Sequence, residues 1–243
     1  MFSAVVLLPD TVLLVPGAAG RADPASGLRA AAVEALRAAD PGPDGRVLVL
    51  APATRDRALT HPVGLGLGAA GLPEPAGRAD AVAPRSRADV PASTALVLLE
   101  LAGCRAPVDV RELARGGGST APEDAGTATT LVVVGSPSAR DGADAPLAED
   151  PRAAEVDARL LAALADGPAA LDTALDALGP DTARELAVSG WAPWRAALAL
   201  LPVDGPPVRA ATCTTAVVAG AQHAVARWGT GPAPVPHHTE EPR

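Results

Sequence analysis

Three short blocks made almost wholly of Val and Leu, at residues 4–8, 47–50 and 131–134, constrain this chain more than any other feature. Each is free of polar side chains apart from its flanks and is closed by turn-forming residues. That is the pattern of a strand buried on both faces in a parallel sheet. Such a strand needs helices over each face, and the intervening sequence offers them. After the first block, Asp23-Pro24 reads as an N-cap followed by proline in the first turn. Leu28, Ala32, Leu36 and Ala39 then recur at helical spacing until Asp40-Pro41 ends the helix. The same punctuation stands at Asp150-Pro151, ahead of an apolar stripe of Val156, Leu160, Leu161 and Leu164 that stops before Gly167-Pro168. Further helices are expected at 93–101, 169–178 and 181–201, the last with a break near Pro193. The fold class implied is α/β, a three-layer α/β/α sandwich with a mostly parallel central sheet.

Composition decides whether such a sheet can be covered. Of 243 residues, 48% are apolar and 20% charged, which is enough to build a core and far from a disordered composition. Lys, Ile, Asn and Tyr are absent and alanine abounds, a GC-rich codon bias that empties the missing lysine of chemical meaning. The net charge of -8 and scattered Arg argue against a nucleic-acid surface, which needs a basic stripe to displace counterions. No apolar run reaches the length of a membrane span. The amino terminus lacks a basic n-region and carries Asp10 and Pro16 within its apolar stretch, unlike a secretory signal. Cys104 and Cys213 stand alone, with no disulfide or CxxC spacing. The expectation is a cytoplasmic protein with one domain over residues 1–228. Residues 229–243, with four prolines and few apolar anchors, are expected to form a disordered tail. Residues 52–91 show little periodicity beyond short strands near 63–67, and 116–126 read as an exposed loop.

Few motifs carry chemistry. Gly66-Leu67-Gly68-Ala69-Ala70-Gly71 matches the dinucleotide-binding pattern, but His61-Pro62 precedes it and Leu72-Pro73-Glu74-Pro75 follows. No helix can open there to face a pyrophosphate, and a flexible loop is expected. His61 falls in a loop, His237 and His238 in the tail, and His223 in a late strand over 221–228 as a partly buried residue. Trp191 and Trp194 share one helical face and read as core or pocket wall. Both cysteines read as buried thiols.

Three segments together resemble a known family. They are Leu7-Leu8-Pro9-Asp10-Thr11-Val12-Leu13-Leu14-Val15-Pro16, Val47-Leu48-Val49-Leu50-Ala51-Pro52-Ala53, and Leu131-Val132-Val133-Val134-Gly135-Ser136-Pro137-Ser138-Ala139-Arg140. Their order is similar to that of the class III extradiol aromatic-ring-opening dioxygenases of the LigB type. The stretch from Ala148-Glu149-Asp150-Pro151-Arg152 to Trp191-Ala192-Pro193-Trp194 resembles an alanine-rich actinobacterial branch of that family. The likeness covers most of residues 1–229.

In active members, two histidines and a carboxylate hold Fe(II), and a further histidine acts as acid and base. The resemblance places the first metal histidine where this chain has Asp10, the second at Ala53, and the catalytic histidine in the stretch ending at Ala139. An alanine methyl can neither ligate iron nor carry a proton. The resemblance therefore implies a non-catalytic or divergent member, with no catalytic residue, no metal ligand and no cofactor expected. Its small-molecule pocket would be lined by Asp10, Ala53, Gly135, Ser136, Ser138, Ala139 and Arg140, at the carboxyl ends of strands where open α/β sheets bind ligands. A small anionic or hydroxylated aromatic molecule suits that lining. Two alternatives stay open. One is an active Fe(II) dioxygenase that recruits His61, His223, Asp141 or Asp144 as substitute ligands; the other is a scaffold or subunit, as a homo-oligomer or with a partner chain.

Overall fold

The computed structural model describes residues 2–42, 44–73, 86–115, 127–201 and 208–229. The chain begins with β1 (Ala4–Leu8), α1 (Ser26–Arg37), β2 (Val47–Ala53), β3 (Arg57–Leu59) and the two-residue strands β4 (Val63–Gly64) and β5 (Ser86–Arg87). Next come α2 (Val90–Ala102), β6 (Val108–Ala114), β7 (Thr130–Val134), α3 (Ala153–Asp166), α4 (Pro168–Leu178), α5 (Pro180–Glu185) and α6 (Trp191–Leu200). The hairpin of β8 (Arg209–Val218) and β9 (Ala221–Gly229) follows. The main sheet has the order β3-β6-β2-β7-β1-β9-β8. Its four central strands, β6, β2, β7 and β1, are parallel, while β3 pairs antiparallel with β6 at one end and β9 pairs antiparallel with both β1 and β8 at the other.

The three Val/Leu blocks form the middle of this sheet, and their alternation assigns each side chain to a layer. Val5, Leu7, Leu48, Leu50, Leu131 and Val133 face the core beneath α3, α4 and α6. Val6, Leu8, Val47, Val49, Val132 and Val134 face the opposite core beneath α1 and α2. The α/β class and the layered sandwich are thus both present.

Several boundaries differ from expectation. The Asp-Pro pairs do not cap their helices. Asp23 takes a positive φ of 34° and pairs with Arg29, and α1 starts at Ser26. Asp150 likewise accepts the Arg152 N–H two residues on, and α3 starts at Ala153. The break expected near Pro193 lies at residues 186–190, because Pro193 sits in the first turn of α6, where its missing N–H costs nothing. Strands β3, β6 and β8 add to the sheet without a matching apolar block in the sequence. The loop expected at 116–126 and all of the tail but Gly229 lie outside the described residues, and Gly229 itself ends β9. No helix among the described residues is long and apolar enough to cross a membrane.

Candidate functional site

The parallel strands deliver their carboxyl ends to one edge. Asp10 follows β1, Ala53 closes β2, Arg115 follows β6, and Gly135 and Ser136 follow β7. Gly135 is held to β1 by its N–H to the Leu8 carbonyl, at 2.8 Å. A Cβ at Gly135 would stand 2.3 Å from the Gly190 Cα, so only glycine allows this approach. The contact brings the loop before α6 against β7. Ser189 Oγ accepts the Ser136 N–H at 2.9 Å, and the Gly190 N–H donates to the Ser136 carbonyl at 3.1 Å.

Ser136 is the hub of the edge. Its hydroxyl accepts the Asp10 N–H at 3.3 Å and lies 3.1 Å from His223 Nδ1 on β9. His223 is 5% exposed. Burial lowers its pKa below the ordinary imidazole value, while the charge of Asp10 and a backbone hydrogen bond at Val218 act against that shift. The Asp10 carboxylate in turn faces Arg115 at 3.6 Å. Asp10, Ser136, His223 and Arg115 therefore form one polar cluster, drawn from four strands.

Ser138 and Arg140 turn to other tasks. The Ser138 N–H donates to Asp157 Oδ1 at 2.7 Å, and its hydroxyl accepts the Arg140 N–H at 2.9 Å. Arg140 Nη1 donates to the Ala148 carbonyl at 2.9 Å, which clamps the loop that leads to α3, and Ala139 is tied by its N–H to the Leu186 carbonyl. Asp157, on α3, is 1% exposed. Burial pushes its carboxyl up to about 7, against the Ser138 hydrogen bond, and the charge of Asp141 adds to the rise.

A cleft of about 650 Å³ meets the cluster at Arg115; of the pocket residues expected from sequence, Ala53 lines it, while Asp10, Gly135, Ser136, Ser138, Ala139 and Arg140 do not. Ala53, Thr54, Gly68, Arg87, Asp89 and Arg115 are among its lining residues. Asp89 of this lining is held by the buried Glu112 of β6, which pairs with Arg57 and accepts the Asp89 N–H at the start of α2. Arg57 also reaches Asp89, at 2.7 Å. The glycine-rich 66–71 segment belongs to this wall. Gly66 donates its N–H to Ser93 Oγ at 2.8 Å, and a Cβ there would lie 2.2 Å from the Ala88 carbonyl oxygen. Its first glycine thus serves a close backbone crossing at Ala88, just before α2, and residues 67–70 form a short 3-10 turn.

His61 and His223 do not meet, and His237 and His238 lie outside the described residues. The His61 N–H bonds Asp109 at the amino end of β6, whereas Arg115 and His223 stand at the carboxyl edge. The strand between Asp109 and Arg115 spans roughly 20 Å at its usual rise of about 3.3 Å per residue. Among the described residues, no three His, Cys, Asp or Glu side chains are grouped to hold a metal ion. Sequence reasoning missed Arg115, Ser189 and Asp157. No family model matches the chain, and no curated protein matches it.

Proposed function

We propose that the carboxyl edge of the sheet binds a small hydroxylated or anionic aromatic molecule, in a divergent, non-catalytic relative of the class III extradiol dioxygenases. The observation that carries this reading is the conjunction of the 650 Å³ cleft with the Asp10-Ser136-His223-Arg115 cluster at the strand ends. A cleft of that volume suits a small organic ligand, and the edge is where sheets of this class hold one. Arg115 offers charge to an anion, and Asp89 and the backbone around Gly68 offer partners to hydroxyl groups.

The residues present do not fit the iron centre that the family would imply. Fe(II) in that setting needs two imidazoles and a carboxylate converging on one point. Asp10 is a single carboxylate already opposite Arg115, Ala53 and Ala139 have no donor atoms, and His61 lies at the far end of β6. The function proposed is accordingly binding, with no ring-opening step. A cytoplasmic location is supported by Cys104 and Cys213, which are both free thiols.

The test is a calorimetric titration of the metal-free protein with catechol. Thr54 is exposed and lines the cleft, so Thr54→Phe fills the cleft without disturbing the core. Catechol binding that is lost in Thr54→Phe supports the reading, and absence of binding, or equal affinity in the variant, overturns it.

A further inference from the structure

A second cavity, of about 180 Å³, is lined by residues of α5, α6 and the loop between them and reaches Arg115. Its lining carries two positive charges, Arg115 and Arg184, and no acidic residue. Both guanidiniums have carboxylate neighbours, Asp10 at 3.6 Å and Asp181 at 2.9 Å, but the arginine side chains are 57% and 58% exposed. Exposed pairs of this kind are weak, and each guanidinium has five N–H donors, so both retain capacity for another anion. Trp191 also lines the cavity, and its buried indole N–H has no hydrogen-bond partner. Trp191 opens α6, whose N-terminal field favours negative charge. Ser189 apart, the rest of the wall is apolar, with Ala183 and Val188 as its most buried members besides Ala192.

We propose that this cavity binds a small monocarboxylic acid with an apolar body no larger than one ring. The carboxylate sits between Arg115 and Arg184, where a planar guanidinium can grip it with two hydrogen bonds. The body lies against Trp191, Ala183 and Val188. A fully hydrated oxyanion such as phosphate would have to shed water against those methyl groups with nothing in return, which disfavours it. The cavity is well below the volume that takes a drug-sized ligand, which sets the size limit. The cavity and the cleft share Arg115, whereas Arg184 and Trp191 line the cavity alone.

The experiment titrates the full chain with benzoate, with its neutral analogue benzamide, and with inorganic phosphate, followed by calorimetry and tryptophan emission. Benzoate is expected to bind saturably, to change the emission, and to bind at least about tenfold more tightly than benzamide or phosphate. In a Thr54→Phe background, which blocks the cleft, Arg184→Gln, at an exposed position that leaves folding intact, should weaken benzoate at least about fivefold. Benzamide or phosphate binding as tightly as benzoate, an unchanged affinity in Arg184→Gln, or no saturation by about 10 mM would each overturn the proposal. Catechol binding that survives Arg184→Gln and fails in Thr54→Phe reports on the cleft alone, so the two sites fail separately.

Discussion

Asp157→Asn isolates a buried carboxyl that holds the loop after β7. In the folded chain, Asp157 is 1% exposed, gives one oxygen to the Ser138 N–H, and leaves Oδ2 without a partner. Its pKa rises from 3.8 to about 7. Between those values the folded state holds a proton that the unfolded state has released. Stability from this group is therefore fully present below pH 4 and is lost as pH rises through 7. Each pH unit between the two values is worth about 1.4 kcal/mol, so the full span is at most about 4 kcal/mol, reduced to roughly 2–4 by hydration at the loop. Asparagine keeps the oxygen that Ser138 needs and cannot ionise. Urea unfolding followed by tryptophan emission at pH 5, 6, 7 and 8 gives the difference between wild type and variant. His223 contributes with the opposite sign, since its lowered pKa adds stability as pH rises toward 6.5, and it cancels in that difference. The wild type should lose about 2–3 kcal/mol relative to Asp157→Asn between pH 5 and 8. A difference that stays constant across the range would refute the assignment of a buried, near-neutral carboxyl.

Two further substitutions probe the scaffold of the edge. Gly135→Ala forces its methyl into the Gly190 backbone and should cost about 1–3 kcal/mol or more, read as a lower urea midpoint at unchanged m-value. Glu112→Ala leaves the Asp89 N–H unpaired and Arg57 with Asp89 as its remaining carboxylate partner, and should cost roughly 1–3 kcal/mol by the same assay, against under about 1 kcal/mol for the exposed Glu155→Ala.

The legible part of the fold was its centre. Val/Leu blocks with no polar residue are unambiguous when a strand is covered on both faces, and all three are adjacent parallel strands. Strand β6 was hidden because Asp109, Arg111 and Glu112 interrupt its apolar pattern. Two of these are satisfied by partners far along the chain, Arg46 and Arg57, which no local window can see. Strand β8 was hidden for a different reason, since an outer strand of Ala and Thr buries too little to leave a clear alternation. The break between α5 and α6 depends on Ala187 at a φ of 56°, a conformation its side chain does not advertise. Within the site, Asp10 and Ser136 were legible because each follows a recognisable strand. His223 was legible as a partly buried strand residue, but its contact with Ser136 spans 87 positions and depends on the β1-β9 register. Arg115 gave no signal, because the strand that presents it was itself unread.

The central claim, that this edge binds an aromatic ligand without an iron centre, meets its most direct test in metal analysis. The protein is incubated anaerobically with Fe(II), desalted, assayed for iron, and then mixed with catechol and dioxygen. The account predicts well under one iron per chain and no ring-cleavage product, because Asp10, Ala53 and Ala139 cannot form a three-ligand face. Stoichiometric iron that survives desalting, with ring-opened product formed from catechol, would contradict it.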